Sequence, residues 1–233
     1  MSSIGVIRHR VTNKEGDIMR SIFVALLIAL LFIPLFANDD NILDELIRNA
    51  ENGLAEAQFS LGVSYDLGFG VVKNYKQAVY WYEKAAVQGY APAQFNLGLC
   101  YYNGEGVVKD YKQAVYWYEK AANQGLAGAQ FSLGGSYYLG EGVENNDKQA
   151  VYWFEKAANQ GHAGAQFSLG VSYYLGTGVV QNYQTAYFWC LIAAANGSEM
   201  AKDRMNKIAK QLSSAQQSEI QARATRWFEE HQE

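Results

Sequence analysis

The apolar residues from position 54 to position 197 are spaced as in paired amphipathic helices. In the first pair, a helix is predicted over about Glu56–Leu67. Ala57 and Leu61 recur on one side of this helix, and Phe59 and Val63 lie on a second side. A helix with two apolar sides is expected to lie between neighbours, so the pattern predicts stacked helices.

The second helix of the pair is predicted over Tyr75–Val87, with Asn74 and Gln77 as a capping box at its N-terminus. Its buried stripe includes Ala78 and Tyr82. The opposite side is polar and is expected to face water; it carries Lys76, Gln77, Tyr80, Glu83 and Lys84.

This two-helix pattern repeats every 36 residues without an insertion. Equivalent tryptophans and glycines mark the period: Trp81, Trp117, Trp153 and Trp189, then Gly89, Gly125, Gly161 and Gly197. Gly68 and Gly70 are assigned to the turn between the two helices. The period predicts an all-α fold, an α/α superhelical solenoid of four 36-residue helix-turn-helix repeats over 54–89, 90–125, 126–161 and 162–197.

Both ends of the repeat array are predicted to be capped by further helices, within residues 38–53 and 198–233. The N-terminal cap, about Asn41–Asn52, aligns with the second helix of a repeat. The C-terminal cap is predicted as a helix over Glu199–Leu212 and a helix over Ala215–His231 that starts with a Ser214–Gln217 capping box. The terminal repeats of a solenoid have a neighbour on one side only, so their outer sides are more polar.

Residues 1–37 are interpreted as a signal peptide. Arg20 precedes an uncharged apolar run over Ile22–Phe36, and Ala37 precedes a polar segment, so cleavage is expected near Ala37. Met19 is a plausible translation start. The sequence therefore predicts a periplasmic or secreted protein, and an uncleaved inner-membrane anchor is the alternative.

Composition narrows the class of protein. The chain is 49% hydrophobic and 18% charged, which suits a globular core rather than disorder. Its net charge is −4 and it has no lysine–arginine cluster, so a nucleic-acid partner is not expected. Cleavage at Ala37 would leave 15 basic and 21 acidic residues, a net charge of −6.

The repeat resembles that of the Sel-one-like repeat (SLR) family, a branch of the tetratricopeptide-like α/α solenoids. In the matching pattern, spaced alanine, glutamine, leucine, glycine and tyrosine residues mark the first helix. An alanine, a tryptophan and two further alanines mark the second helix. In the first repeat the pattern consists of Ala55, Ala57, Gln58, Leu61, Gly62, Tyr65, Gly68, Gly70, Val71, Ala78, Trp81, Ala85, Ala86 and Gly89. Three more copies follow. The fourth copy differs in its second helix, whose outer side is more apolar and is expected to lie under the C-terminal cap.

The resemblance implies a non-enzymatic adaptor or scaffold that holds a protein or peptide. The terminal caps are expected to keep the protein monomeric. A cysteine-rich secreted branch of the family is associated with β-lactam binding, so a slow β-lactam or other envelope hydrolase is the alternative function. That branch has paired cysteines within each repeat, whereas this chain has only Cys100 and Cys190. Both are predicted to be buried thiols that act as small hydrophobic residues.

The sequence offers no catalytic motif. No serine is followed three positions later by lysine, and the histidines His9, His162 and His231 form no zinc-binding pattern. His162 is expected to pack like an aromatic residue. No catalytic, metal-binding or cofactor-binding residue is predicted.

A partner-binding stripe is predicted on the first helix of each repeat, which lines the concave side of α/α solenoids. Its small polar side chains could hydrogen-bond to an extended peptide or a helix. An equally weighted interpretation is that these small residues only permit tight superhelical curvature. The predicted stripe consists of Ser60, Ser64, Asn96, Asn103, Ser132, Ser136, Ser168 and Ser172, with Cys100 at the position equivalent to Ser64.

Overall fold

The computed structural model describes residues 39–231, which form α-helices and, within that range, no strand. These residues make two compact units, 39–146 and 147–231. The predicted signal peptide lies outside the described residues. The predicted all-α solenoid class, with helix-turn-helix repeats and extra helices at both ends, is confirmed.

The first unit contains six helices in sequence order. They are α1 (Asp39–Glu51), α2 (Ala55–Leu67), α3 (Tyr75–Val87), α4 (Ala91–Asn103), α5 (Tyr111–Asn123) and α6 (Ala127–Leu139). Each helix from α2 to α6 packs against the helix before it. We call α2, α4 and α6 A-helices, because they come first in their repeats, and α3 and α5 B-helices.

The second unit contains five helices. They are α7 (Asp147–Asn159), α8 (Ala163–Leu175), α9 (Tyr183–Ala195), α10 (Glu199–Ala209) and α11 (Ser214–Glu230). Here α8 is the A-helix, and α7 and α9 are the B-helices. Both α10 and α11 pack against α9, and α10 also contacts α8.

The helix ends follow the sequence-based predictions in the regular repeats. Gly68 ends α2 with φ of 80°, a left-handed conformation that favours glycine, and its N–H donates to the Ser64 carbonyl at 2.8 Å. At the start of α3, the Asn74 side chain accepts from the N–H groups of Lys76 and Gln77 at 3.1 and 3.2 Å. The predicted caps at Gly68 and Asn74 are confirmed, but the Gln77 side chain does not return the bond that would complete the predicted capping box.

The second glycine of the turn fixes the contact between repeats. At Gly106, a Cβ atom would lie 2.3 Å from the carbonyl oxygen of Tyr75, at the start of the preceding B-helix. Gly142 meets Tyr111 in the same way, and Gly178 meets Asp147. Because backbone cannot yield as a flexible side chain does, no larger residue fits there.

Small residues of the A-helices face large aromatic residues of the B-helices. A Cβ atom on Gly98 would lie 2.7 Å from the ring of Tyr118, and one on Gly62 would lie 2.6 Å from the ring of Tyr82. The rings of Tyr82 and Tyr118 are buried. In the core, these aromatic rings therefore pack directly against the glycine positions of the A-helices.

A chain of buried glutamines also links neighbouring repeats, and sequence analysis did not predict it. Gln94 donates through Nε2 to the carbonyl of Ala86 at 3.0 Å, and its Oε1 accepts from Gln124 at 2.7 Å. Equivalent side-chain-to-carbonyl bonds join Gln58 to Ala50 and Gln130 to Ala122. Gln166 donates likewise to Ala158, and its Oε1 accepts from Asn196. Each of these carbonyls also accepts from a backbone N–H, those of Gly53, Gly89, Gly125 and Gly161, so the glutamine adds a second bond that joins one repeat to the next.

The two ends differ in how well the sequence predicted them. At the N-terminal end, the bond from Gln58 to Ala50 shows that α1 takes the place of a B-helix, as predicted. At the C-terminal end, α10 stops at Ala209 rather than at Leu212.

The start of α11 was predicted one residue too late. Ser213, not Ser214, forms the capping box, and its partner is Gln216 rather than Gln217. Two overlapping serine–glutamine pairs compete here. Gln217 is occupied elsewhere, because its Nε2 donates to the carbonyls of Ala209 and Leu212.

Candidate partner-binding surface

The A-helices leave one side uncovered within their own unit. At each of three repeat positions, the side chain or glycine is exposed or half-buried. We call this set the A-helix stripe. It consists of Ser60, Val63 and Leu67 in α2; Asn96, Leu99 and Asn103 in α4; Ser132, Gly135 and Leu139 in α6; and Ser168, Val171 and Leu175 in α8.

For two of the predicted stripe residues, the prediction of surface exposure is wrong. Ser136 and Ser172 are buried, and Cys100 at the equivalent position of α4 is buried too. The Ser136 hydroxyl donates to the Ser132 carbonyl at 3.1 Å, and the Ser172 hydroxyl donates to the Ser168 carbonyl at 3.0 Å. Only Ser64, in the first repeat, remains half-buried at this position.

In three of the four A-helices, the half-buried position lies one residue earlier than predicted. Leu99, Gly135 and Val171 are half-buried, whereas the residues that follow them are buried. In α2, both Val63 and Ser64 are half-buried, and Val63 packs against a core cluster formed by α3, α4 and α5. The stripe is therefore more apolar than the sequence analysis assumed. The predicted residues that lie on it are Ser60, Asn96, Asn103, Ser132 and Ser168.

Asn96 is already engaged by the protein. The hydroxyl of buried Tyr82 donates to Asp66 Oδ2 at 3.2 Å, and the Asn96 side chain hydrogen-bonds to the same hydroxyl. Burial is the main cause that raises the pKa of Tyr82, so this hydroxyl stays protonated. Asn96 therefore serves the packing between the first and second repeats as well as the stripe.

Aromatic residues border the stripe at the C-terminal ends of the A-helices. The Tyr102 hydroxyl donates to Glu141 Oε2 at 2.9 Å, and this hydrogen bond is the main cause that raises the pKa of Tyr102. Its ring meets Tyr111 edge-on with centroids 5.2 Å apart, and Lys109 Nζ lies 5.7 Å from its centroid. This edge is held by the fold and does not need a ligand to order it.

The cysteines are buried free thiols, as predicted. Burial raises the pKa of Cys100 to about 12 and that of Cys190 to about 12. At neutral pH both sulfurs are protonated, and a protonated thiol is a poor nucleophile. Nothing in the described residues favours the alternative hydrolase function.

His162 has a role that the sequence analysis missed. It stands at the N-cap of α8, where its Nδ1 accepts from the N–H of Ala165 at 3.2 Å. Leu54, Tyr90 and Leu126 occupy the equivalent caps and make no side-chain cap bond. Burial lowers the pKa of His162, which keeps the ring neutral and able to accept this bond.

The outer sides of α3, α5 and α7 face water, as predicted for Tyr80 and its equivalents Tyr116 and Tyr152. Each of these rings is 48% exposed. A lysine one turn later covers each ring: Lys84, Lys120 and Lys156 lie 4.9, 4.9 and 5.0 Å from the three centroids. These pairs are local to one helix and need no partner.

Residues 39–231 contain no cluster of histidine, cysteine, aspartate and glutamate side chains that could hold a metal ion. Nor does any helix in that range combine the length and hydropathy needed to cross a bilayer.

The sequence pattern of the Sel1 repeat matches this chain four times in succession, at residues 55–90, 91–126, 127–162 and 163–198. The chain belongs to the Sel1 repeat family. Sel1 repeat proteins are generally protein-interaction scaffolds, and the repeat fold is typically non-catalytic. No curated protein matches the sequence significantly.

Two solved structures of Sel1 repeat proteins resemble the chain. One is a protective antigen present in uropathogenic Escherichia coli strains, with an SLR fold; it is 38% identical, with a TM-score of 0.72 over 84% of this chain and 41% of that protein. The other is a Sel1 repeat protein from Oxalobacter formigenes, 34% identical, with a TM-score of 0.67 over 73% of this chain and 50% of that protein. This chain thus spans half or less of the length of these relatives.

Proposed function

We propose that this Sel1 repeat protein is a non-enzymatic scaffold that binds an extended segment of a partner protein along the part of the A-helix stripe that lies within one unit. The observation that carries the proposal is the recurrence of the same uncovered positions in α2, α4, α6 and α8. Each helix presents a hydroxyl or amide beside an apolar residue or an open glycine. An extended peptide needs both kinds of contact, because its backbone hydrogen-bonds while alternate side chains seek apolar contacts.

Gly135 supports the proposal, because it lies in the middle of a helix without a packing reason. A Cβ atom there would meet nothing within 4 Å, and glycine in a helix interior costs about 0.5–1 kcal/mol relative to alanine. The open space at Gly135 would let a bound backbone approach α6 closely. Gly98 differs, because the ring of Tyr118 fills the space above it.

We also propose that the chain is exported, with residues 1–37 removed as a signal peptide, and that it acts as a monomer in the periplasm or outside the cell. N-terminal mass determination of protein recovered from the native envelope fraction tests the export step. A mature N-terminus near Asn38 is the expected result. A chain that keeps its apolar run and sediments with membranes would contradict it.

A double variant tests the stripe. Ser60→Arg with Ser132→Arg places two charged side chains on the uncovered side of α2 and α6, where neither residue supports the core. Site-directed photocrosslinking from the Leu99 position should capture the native partner with the wild-type chain, and the double variant should lose most of that capture. The helical circular-dichroism spectrum should not change.

The matched control is Gln77→Arg with Gln113→Arg, on the exposed outer sides of α3 and α5. It adds the same charge away from the stripe and should leave capture intact. Asn96 is not used, because its bond to Tyr82 would confuse binding with stability. Equal capture by the two double variants would remove the stripe from the proposed function.

A further inference from the structure

The charged residues of the A-helices lie at the ends of the repeat series. The central A-helices α4, α6 and α8 contain no charged residue, and α2 contains only the acidic Glu56 and Asp66. The next helix of this type is α10, which lies 36 residues beyond α8 in register and contacts it. Among the helices at this repeat position, α10 is the one that carries basic residues.

The register places two of these basic residues on the continuation of the stripe. Arg204 is equivalent to Ser168, and Lys207 is equivalent to Val171. Arg204 is half-buried and Lys207 is exposed. Met200, one turn before Arg204, is 68% exposed and adds an apolar contact. The α8–α10 part of the stripe therefore combines a hydroxyl, apolar side chains and two cations.

The Arg204 side chain is held in place without an acidic partner. Its guanidinium carbon lies 5.2 Å from the ring centroid of Tyr174, the aromatic residue that borders the stripe on α8. Within residues 39–231, neither Arg204 nor Lys207 forms an ion pair. The acidic residues of α10 itself are Glu199, which pairs with Lys202, and exposed Asp203, four residues before Lys207. An arginine that is stacked but unpaired keeps its planar set of N–H donors available for a carboxylate.

We propose that this end of the stripe, formed by α8 and α10, docks an acidic segment of the partner protein. Arg204 binds one aspartate or glutamate side chain, and Lys207 binds a second, while apolar residues of the segment contact Leu175 and Met200. We expect side-chain carboxylates rather than a C-terminal carboxylate because of the number of charges. Two cations one helical turn apart match two carboxylates, whereas a chain terminus supplies only one. This inference depends on the proposed function, since it names the chemistry of the segment that the stripe binds.

A random peptide library displayed on phage tests the inference with the full protein as bait. The wild-type chain should enrich peptides that contain both acidic and apolar residues. Arg204→Gln and Lys207→Gln should each lose the acidic preference, and Arg204→Lys should keep part of it. Lys148→Gln, which removes the same charge from the exposed outer side of α7, is the matched control and should keep the preference.

Anisotropy with an enriched peptide, resynthesised with an amidated C-terminus, measures the contribution of each cation. Each glutamine variant should weaken binding by about fivefold, the effect of one partly exposed charge pair, and added salt should weaken wild-type binding in the same direction. Lys207 is exposed, so its variant reports on binding even if Arg204→Gln reduces stability.

The possible failures are distinguishable. Enriched peptides without an acidic excess, or an acidic excess that survives both glutamine variants, would overturn this inference and leave the scaffold function standing. Binding that amidation of the peptide terminus abolishes would assign the cations to a terminal carboxylate and overturn the choice of side chains. A wild-type chain that enriches no peptide would overturn both proposals.

Discussion

The outer sides of α5 and α9 show how one hairpin design serves two different environments. In α5 the outer ring is Tyr116, which is 48% exposed and covered by Lys120 of its own helix. In α9 the equivalent ring is Phe188, which is 7% exposed and covered by Arg223 from α11 at 4.1 Å. The residue of α9 that is equivalent to Lys120 is Ile192, which is buried.

The backbone of the B-helix does not decide whether its outer side is surface or core. Both helices have 13 residues and begin at an Asn or Asp cap. The difference on the outer side lies in five side chains of α9, which accompany the presence of α10 and α11: Gln184, Thr185, Phe188, Leu191 and Ile192. A repeat array ends where the outer side of a B-helix becomes apolar enough to hold covering helices.

The largest expected effect comes from reversing this difference. Ile192→Lys restores the residue of the earlier repeats but buries a charge without a partner under α10 and α11. Chemical denaturation should show a loss of about 4 kcal/mol in the free energy of unfolding, or no folded second unit. The reciprocal control, Lys120→Ile on exposed α5, should change stability by less than about 0.5 kcal/mol. Similar effects of the two substitutions would break the comparison.

A second test compares Gln94, a member of the buried glutamine chain, with Lys202, the residue at the equivalent position of α10. Gln94→Met keeps the volume of a buried side chain but removes its bonds to the Ala86 carbonyl and from the Gln124 amide. The Ala86 carbonyl still accepts from the Gly89 N–H. A loss of about 2 kcal/mol is expected, about 1 kcal/mol for each hydrogen bond removed. Lys202 occupies the equivalent position of α10, where it pairs with Glu199 at the surface. Lys202→Met should therefore cost little in the same denaturation experiment, and equal costs would show that the glutamine bonds are not stabilising.

The smallest expected effect concerns the caps of the A-helices. Burial holds the pKa of His162 below its ordinary value of 6.5. Above pH 6.5 the ring is neutral in both states and its full contribution to stability is present. As the pH falls towards the lower folded pKa, the unfolded chain binds a proton first, so stability declines.

His162→Ser tests this effect, since Ser198 already caps α10 through the equivalent bond to Ala201. The variant should keep a cap worth about 1 kcal/mol and lose only the part of the pH dependence due to the imidazole. Stability curves of the two proteins should therefore converge at neutral pH and separate in mild acid. Parallel curves across that range would show that His162 does not titrate between the folded and unfolded states.

Much of the fold was predictable from the sequence because packing and capping leave local signals. The glycine at Gly68, the cap at Asn74 and the spacing of Ala78 and Tyr82 each have a short-range cause that the 36-residue period repeats. The C-terminal cap was less predictable. Two equivalent capping boxes overlap at Ser213 and Ser214, and only the contacts of Gln217 decide between them.

The stripe was predicted only in part for a geometric reason. Neighbouring residues of an α-helix point about 100° apart, so a helix covered on two sides leaves one narrow line. Small polar residues at the position of Ser136 suggest surface, yet a hydroxyl that bonds to its own helix can be buried at little cost. The apolar residues at the position of Val63 suggest a buried position, yet this position is half-buried. Sequence patterns do not reveal which of two adjacent residues a neighbouring helix covers.

The contact of Gly106 with the backbone of the preceding B-helix has a consequence for how such a chain can change in length. An extra residue in this turn would push the glycine out of register with the helix that it touches, and a side chain would collide with that helix. Inserting residues into one hairpin is therefore costly, whereas duplicating a complete hairpin preserves every such contact. A protein built in this way is expected to gain or lose length in whole repeats.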